Sequence, residues 1–431
     1  MDISIIKGFR DILPEEAGTW QVIESEARKI FRSFGFREIK PPLMERTELF
    51  SRSIGQETDI VSKEMYSFPD SRGRSISLRP EATAGVVRAY IQNKLYQQNP
   101  VQKLFTIGPM FRHERPQKGR FRQFYQINAE LFNDTGPRSD ADIIIMALAL
   151  FNRVGLTGLT LNVNSLGCPE CRGGFRKNLE EYLSGNMEML CPDCVRRSVT
   201  NPLRVFDCKV EGCQKVVSGA PSILDFICPD CGYHFEALQA LLHKAGIEFI
   251  LNRKLVRGLD YYSRTTFEIQ TERLGSQNAV AGGGRYDGLV RELGGPDHPA
   301  IGFAVGVERL VALLDEAQRG IADRPALFIA CLGVRAEEKA FGWINELRRH
   351  DIWAEMEYSL KGLKQQMKTA DRLGAGKVLI VGDDELQAGK GVLRDMETKV
   401  QEDIPLDNLV ENIRKRTEHE HRFIRKLGKN P

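Results

Sequence analysis

The spacing of apolar residues predicts an amphipathic helix near the start of the chain. Pro14 and the two glutamates after it are typical of a first helical turn. Apolar side chains then keep helical spacing from Trp20 to Phe34, and Gly35 ends the helix. The next stretch, FREIKPPLME, has the composition of a strand, but its two prolines restrict it to a sheet edge or a bend.

An alternation of apolar and polar positions predicts a β-hairpin further along the chain. Its strands are LFTIGPMF at residues 104–111 and FRQFYQINAELF at residues 121–132, with a tip near Pro116 to Gly119. Successive side chains of a strand point to opposite faces, so Arg112 and Glu114 share one face. The return strand has a polar face where a core-facing strand would be apolar, formed by Phe124, Gln126, Asn128 and Glu130.

The same hairpin carries an unusual density of positive charge. Eleven residues hold five cations, with Glu114 as the only acid among them: Arg112, Arg115, Lys118, Arg120 and Arg122. A charge run is usually a solvated loop. Here the polar strand face, together with the planar guanidinium that matches phosphate oxygens, favours a phosphate-binding site.

The remaining pattern predicts more strands, a helix and a second kind of domain. Residues 157–163, 249–255 and 265–270 have strand composition, and the glycines of AVAGGGRYDGLVRELGG indicate a tight turn and only weakly a nucleotide site. An amphipathic helix follows, with Val307, Leu310, Val311 and Leu314 on its apolar stripe. Beyond residues 323–325 the order strand, helix, strand, helix, strand predicts an α/β domain with a parallel sheet.

Length and composition restrict the class of protein. A chain of 431 residues is too long for one typical core, and 42% apolar with 28% charged residues is typical of a globular protein without a membrane span. No secretory signal is evident at the N-terminus, so we expect a cytoplasmic protein. The net charge of +3 is too small to indicate a nucleic-acid partner by itself.

Cysteine usage predicts metal binding. Eight of the nine cysteines fall in four close pairs: Cys168 and Cys171, Cys191 and Cys194, Cys208 and Cys213, and Cys228 and Cys231. Without an export signal, such pairs are more typical of structural zinc ligands than of disulfides or inert buried thiols. The spacing leaves open which pairs share an ion, and His234 could replace a thiolate.

Seven motifs, in this order, resemble the class II aminoacyl-tRNA synthetases and, within them, the histidyl-tRNA synthetase family. They are KGFRDILPEE, the following helix with its Pro42 strand, LRPEATAG, FRHERPQKGRFRQF, LVRGLDYYSRTTFE, GGGRYDGL and GFAVGVERL. The resemblance covers almost the whole chain. It implies an α+β catalytic domain on an antiparallel sheet, residues 1–325, with a Cys-rich, mainly helical insertion at about 168–250, and an α/β anticodon-binding domain, residues 326–431.

The resemblance also implies roles in ATP binding and catalysis. Arg112 would contact the α-phosphate, Arg309 would brace the γ-phosphate, and Arg257 would approach the α-phosphate from the amino-acid side. Phe124 would stack on adenine with Glu114 near its amino edge. ATP would enter with Mg²⁺.

For histidine, the resemblance implies that Glu130 and Tyr262 face the imidazole, beside Tyr261. Glu81, Thr83 and Gln126 would hold the ammonium and carboxylate ends. A site that presents partners to both ring nitrogens rejects isosteres, because the wrong amino acid leaves buried groups unpaired.

The partners implied by the family are tRNA(His) and a second copy of the chain. The acceptor end of the tRNA would meet the loop residues Arg115, Gln117, Lys118, Arg120 and Arg122. The first class motif would form the interface of a homodimer. The basic tail HEHRFIRKLGKN is expected to be unstructured.

Two alternatives remain open on the sequence. A non-catalytic paralogue that binds histidine as a regulatory subunit would be expected to lose the C-terminal domain and the tRNA-directed features. The second alternative is a class II synthetase for another amino acid, such as proline or threonine.

Many family members lack the cysteine array, so zinc would have a structural role and not a catalytic one.

Overall fold

The computed structural model describes residues 3–56, 58–115, 119–274, 278–314, 324–359 and 361–416. The chain divides into two compact units, Met1–Gly320 and Ile321–Pro431. The predicted hairpin tip, with Gln117 and Lys118, and the C-terminal tail lie partly or wholly outside the described residues. In the described part of the chain, none of the helices combines the length and hydropathy needed to cross a bilayer.

An eight-stranded sheet forms the centre of the first unit, in the order β1-β5-β6-β11-β10-β9-β7-β8. Its interior pairs are antiparallel, and its two outermost pairs are parallel. A second, three-stranded sheet has the order β2-β4-β3. The strands are β1 Arg37–Glu38, β2 Met44–Arg46, β3 Ser67–Pro69, β4 Ser75–Leu78, β5 Gln102–Phe111, β6 Gln123–Phe132, β7 Thr160–Ser165, β8 Ile250–Leu251, β9 Ser263–Gln270, β10 Ala279–Arg285 and β11 Ala300–Gly306.

Some of the helices of this unit cover the apolar face of the sheet. The first begins at Pro14 as predicted, buries Trp20, Ile23 and Phe31, and ends before Gly35, whose φ of 83° favours glycine. The helices are α1 Pro14–Ser33, α2 Thr47–Ile54, α3 Thr83–Gln92, α4 Pro137–Arg153, α5 Pro169–Ser184, α6 Pro192–Thr200, α7 Glu211–Gly219, α8 Pro229–Lys244, α9 Leu289–Glu292 and α10 Val307–Leu313.

The period-2 alternation of β6 separates the core from the site. Ile127, Ala129 and Leu131 are buried in the main core, whereas the intervening polar residues point to the opposite face. The predicted hairpin is therefore present, with β5 and β6 paired over ten residues.

Three local predictions differ from the structure. The strand predicted at 157–163 spans Thr160–Ser165, and the one predicted at 249–255 is reduced to the two residues of β8. The glycine run predicted as a tight turn lies inside β10. Its glycines are needed because a Cβ at Gly283 would come within 2.2 Å of the carbonyl oxygen of Gly302 on the next strand.

The Cys-rich region is helical and builds a core of its own. Phe175, Leu179, Val205 and Val216 belong to this small core. By contrast, α8 packs its apolar residues, among them Leu238, into the main core. The last helix of the predicted 168–250 insertion thus packs with the sheet domain.

The second unit contains a five-stranded sheet in the order β13-β12-β14-β15-β16. The first three of these strands are parallel, as the sequence predicts, but β15 and β16 add an antiparallel hairpin that it did not predict. Its elements are β12 Leu327–Leu332, α11 Val334–Arg349, β13 Ala354–Met356, α12 Leu363–Arg372, β14 Lys377–Gly382, α13 Asp383–Ala388, β15 Lys390–Asp395 and β16 Gln401–Pro405. The predicted fold class is confirmed, although this sheet is mixed.

Candidate active site

A cavity of about 890 Å³ lies over the polar face of the large sheet. Strands β6, β9, β10 and β11 contribute to its lining, together with the loop at residues 257–262 and segments of the Cys-rich region. Of the residues assigned from the resemblance, the cavity brings together Glu81, Thr83, Arg112, Glu114, Arg120, Phe124, Gln126, Glu130, Arg257, Tyr261, Tyr262 and Arg309.

Three half-buried guanidiniums, the arginine set, line this cavity: Arg112, Arg257 and Arg309. Each is held by the protein. The Nε of Arg112 donates to the carbonyl of Pro80 at 2.8 Å, and its guanidinium lies 5.3 Å from the centroid of Phe124. Arg309 donates to the carbonyl of Ala279. Hydrogen bonds to carbonyl oxygens fix these cations without neutralising them.

Arg257 differs because it forms an ion pair with Glu268 on β9. Burial disfavours its charge, but Glu268 and nearby phenols and acids outweigh that cost, so the pKa of Arg257 is raised. Glu268 was not predicted from the sequence. Its alternation with Thr266 and Gln270 on β9 was the available signal.

Glu130 is the centre of a buried polar group, the Glu130 cluster, which consists of Thr83, Glu130 and Tyr286. Its two oxygens accept hydrogen bonds from the hydroxyl of Thr83 at 2.6 Å and from that of Tyr286 at 2.5 Å. Burial raises the pKa of Glu130 to about 8, although both hydrogen bonds oppose the shift. Burial thus favours the neutral form of this carboxyl group.

Tyr286 was given no role on the sequence, where Glu130 and Tyr262 were expected to face the imidazole. Tyr262 is buried and lines the same cavity, but Tyr286 is the direct partner of Glu130. The rings of Tyr261 and Tyr286 are 5.5 Å apart, and those of Tyr261 and Tyr262 are 4.8 Å apart. Tyr286 lies in GGGRYDGL, a motif that supplied the resemblance but no residue role.

Glu81 has a structural partner in addition to its place in the cavity. Its carboxylate accepts backbone N–H bonds from Thr83 at 2.6 Å and Ala84 at 2.8 Å, at the start of α3. Burial raises the pKa of Glu81 despite these bonds. Its carboxylate therefore orders the first turn that carries Thr83.

Two amide side chains on β6 present buried acceptors to the cavity. Gln126 Oε1 and Asn128 Oδ1 have no hydrogen-bond partner among the described residues. Buried acceptors without partners are costly, so these atoms are suited to receive donors from a bound molecule. Asn128 was noted on the polar strand face but was given no role.

Two glycines make room for the side chains of Glu130 and Arg257. A Cβ at Gly302 would come within 1.7 Å of an oxygen of Glu130, and one at Gly282 within 2.3 Å of the guanidinium of Arg257. Both lie in the strands under the cavity, where an absent side chain allows close approach.

The loop cations predicted to meet tRNA are not equivalent. Arg120 lines the cavity and pairs with Glu114 at 2.8 Å, and Arg115 is exposed. Arg122 donates to the carbonyl of Lys7 at 3.2 Å, so its guanidinium is engaged with the N-terminal segment. Gln117 lies outside the described residues, as does Lys118.

The eight paired cysteines form two four-thiol clusters, which settles the pairing left open by the sequence. We call them the base cluster, Cys168, Cys171, Cys228 and Cys231, and the inner cluster, Cys191, Cys194, Cys208 and Cys213. In each, the sulfur atoms lie within 4.8 Å of one another. A backbone N–H also donates to one thiol in each cluster, Cys228 to Cys171 at 3.1 Å and Cys191 to Cys213 at 3.2 Å.

His234, which could have replaced a thiolate, belongs to neither cluster. Its Nε2 lies 2.8 Å from Oδ2 of Asp140, and both side chains are buried. The helical turn after Cys231 points the imidazole into the main core, away from the thiols.

Comparisons with known proteins agree with this geometry. The family described as histidyl-tRNA synthetase matches residues 8–169 and 228–310, and the anticodon binding domain matches residues 326–416. The histidine–tRNA ligase of Desulfatibacillum aliphaticivorans is 57% identical over 95% of this chain and 98% of its own length. The histidine–tRNA ligase of Desulfosudis oleivorans is 56% identical over 94% of this chain and 96% of its own length.

A solved structure supports the same assignment. The apo histidyl-tRNA synthetase of S. aureus is 36% identical and superposes with a TM-score of 0.80, covering 96% of this chain and 100% of that one. The chain therefore belongs to the histidyl-tRNA synthetase family.

Proposed function

We propose that this chain activates L-histidine with ATP and transfers the histidyl group to the 3′ end of tRNA(His), releasing diphosphate and AMP. The observation that carries the proposal is that the arginine set and the Glu130 cluster line the same cavity. A regulatory paralogue would be expected to lack the C-terminal domain, whereas residues 326–416 match the anticodon binding domain.

In the first step, a carboxylate oxygen of histidine attacks the α-phosphorus of ATP, and the bond to the bridging oxygen breaks to release diphosphate. Both reactants are anionic, so fixed cations must hold them in line. We assign the α-phosphate to Arg112 and Arg257 and the γ-phosphate to Arg309. ATP enters as its Mg²⁺ complex, with adenine against Phe124 and near Glu114.

Histidine recognition is assigned to the buried side of the cavity. Glu130 and Tyr262 would face the imidazole, with Tyr286 and Thr83 orienting the Glu130 carboxyl group. The unpartnered acceptor of Gln126 suits the ammonium group, together with Glu81 and Thr83. The ring of Tyr261 lies beside that of Tyr262 and adds to the aromatic lining of the cavity.

In the second step, a ribose hydroxyl of the terminal adenosine attacks the carbonyl carbon of the adenylate, and AMP leaves. The exposed Arg115 is suited to contact tRNA phosphates near this step. We assign anticodon binding to residues 326–431.

We further infer a cytoplasmic homodimer. Apolar side chains are exposed on the small sheet and the segment that leads into it, with Leu43 at 43%, Met44 at 51% and Phe68 at 41% exposure. An exposed apolar surface of this kind is typical of subunit interfaces. A solution mass near twice the 48.7 kDa of one chain is expected from light scattering at micromolar concentration. The mass of a single chain would contradict the dimer.

Each cysteine cluster fits a structural Zn²⁺ ion, because four thiols within 4.8 Å of one another supply the number and type of donors that closed structural zinc sites use. We expect about two equivalents of zinc per chain in protein purified without added metal. Cys194→Ala should remove about one, whereas Cys331→Ala, at the buried cysteine outside both clusters, should remove none. Fewer than about half an equivalent in the wild type would contradict zinc binding.

Pyrophosphate exchange tests the central proposal. Exchange of labelled pyrophosphate into ATP should depend on histidine and should not occur with proline or threonine. Exchange with either of those amino acids in place of histidine would reject the assignment.

A further inference from the structure

The Cys-rich region contacts the loop at residues 257–262, which we call the RGLDYY loop. This loop carries Arg257, Tyr261 and Tyr262 into the cavity. It has no helix or strand of its own, because the chain is irregular between β8 and β9. Its conformation must therefore be fixed by contacts from outside the loop.

Arg204 supplies the largest number of these contacts. Its Nη2 donates to the carbonyl of Gly258 at 2.7 Å and to Oδ1 of Asp260 at 3.2 Å, and its Nε lies 3.3 Å from the same oxygen. Asn201 donates to that oxygen as well, at 3.0 Å. Only 13% of the Arg204 side chain is exposed. A half-exposed pair would contribute little, but this guanidinium bonds the loop backbone and a loop carboxylate at once.

Arg172 contacts the other end of the loop. Its guanidinium donates to the carbonyl of Tyr262 and, through Nε, to the carbonyl of Leu166 at 3.2 Å. Leu166 directly follows β7, so Arg172 joins the loop to the end of a strand. A main-chain carbonyl of a cavity residue is thereby tied to α5.

The residues that make these contacts lie close to cluster cysteines along the chain. Arg172 is the residue after Cys171 of the base cluster, in the first turn of α5. Asn201 and Arg204 lie between Cys194 and Cys208 of the inner cluster. Each cluster therefore holds a segment of the chain whose side chains donate hydrogen bonds to the RGLDYY loop.

We propose that Arg172, Asn201 and Arg204 are positioning residues, through which the Cys-rich region holds the RGLDYY loop in its histidine-binding conformation. This rests on the proposed function, since it assigns a role in that reaction. Histidine binds the ordered loop, so a variant that populates this conformation less often shows a proportionally weaker apparent affinity. At saturating histidine the substrate itself restores the loop, and kcat changes little.

The test compares Arg204→Ala with Arg196→Ala in histidine-dependent pyrophosphate exchange. Arg196 lies on the neighbouring helix α6, is 56% exposed and pairs only with Asp193 among the ion pairs described. We expect Arg204→Ala to raise the KM for histidine about tenfold, with the KM for ATP and kcat changed less than about twofold. Arg196→Ala should match the wild type. An unchanged KM for histidine in Arg204→Ala would overturn the proposal.

Two further measurements separate positioning from a loss of folding. Hydrogen exchange of peptides covering residues 255–264 should accelerate in Arg204→Ala, while peptides from the large sheet and the zinc content stay as in the wild type. Arg204 and Asp260 share one contact, so the double variant Arg204→Ala/Asp260→Ala should raise the KM for histidine by less than the product of the two single-variant fold-changes. Additive effects, or unchanged exchange in the loop, would contradict the proposal. Absence of histidine-dependent pyrophosphate exchange in the wild type would instead reject the proposed function. Hydrogen exchange in the loop would still test whether Arg204 orders it.

Discussion

The Glu130 cluster and the arginine set line the same cavity, but the protein holds them in different ways. Glu130, Thr83 and Tyr286 are buried and bonded mainly to one another. The arginines are half-buried and are fixed by backbone carbonyls or, for Arg257, by one acid. A buried network that must be satisfied discriminates between ligands, whereas cations with free donors attract any suitably placed phosphate.

This contrast indicates that the Glu130 cluster and the arginine set have different roles in the cavity. We propose that the Glu130 cluster, where burial raises the pKa of a carboxyl group, provides selectivity for histidine, and that the arginine set provides the cations on which the rate of adenylate formation depends. Four variants test this division of roles, and their expected effects decrease in the order Arg257→Ala, Gly302→Ala, Glu130→Gln and Arg115→Ala.

Arg257→Ala should have the largest effect. Charge placed at a developing anion acts mainly in the transition state, so kcat of pyrophosphate exchange should fall about 10²- to 10³-fold, with a smaller change in the KM for histidine. The double variant Arg257→Ala/Glu268→Gln controls for the acid left unpaired. Equal losses in kcat and histidine affinity would contradict the assigned role.

Gly302→Ala should damage the histidine side of the cavity. The new methyl group would lie 1.7 Å from Glu130 Oε2 and 2.5 Å from the carbonyl of Ala129, so the carboxyl group must move. We expect the KM for histidine to rise about tenfold or more, with folding followed by circular dichroism. Gly342→Ala is the matched control, since nothing lies within 4 Å of the added Cβ on α11. A well-folded Gly302→Ala variant with wild-type kinetics would show that Glu130 has no role in binding.

Glu130→Gln should alter the pH dependence of stability. Burial raises the pKa of Glu130 from 4.5 to about 8, so the folded state holds one more proton than the unfolded state between these values. The wild type therefore loses stability as pH rises through this window, whereas the glutamine variant lacks this contribution. Urea unfolding at pH 5, 6.5 and 8 should show the wild type losing stability relative to the variant. Parallel curves would indicate that Glu130 has an ordinary pKa.

Arg115→Ala should have the smallest effect. Arg115 is exposed and does not line the cavity, so pyrophosphate exchange should not change. The KM for tRNA should rise a few-fold, and its dependence on salt should weaken by about one phosphate contact. Arg291→Ala, at an exposed cation paired with Asp297, is the control. A change in pyrophosphate exchange without any change in the KM for tRNA would indicate that Arg115 acts in adenylate formation and not in tRNA binding.

Much of the candidate site was predictable because strand alternation is a local property. The polar face of β6, with Gln126, Asn128 and Glu130, follows from period 2 alone. The same rule applied to β9 would have found Glu268. The glycine run was misread because only the neighbouring strand shows why a side chain cannot fit there.

By itself, the sequence determined the family, through its ordered motifs, together with the first helix, the hairpin and the presence of four cysteine pairs. The tertiary structure alone decided which pairs meet, that Tyr286 bonds Glu130, that Glu268 neutralises Arg257, and that Arg204 reaches the RGLDYY loop. Helical and strand periodicity depends on neighbours along the chain. Contacts such as Glu130 with Tyr286, 156 residues apart, depend on which strands become adjacent, and no local pattern encodes that order.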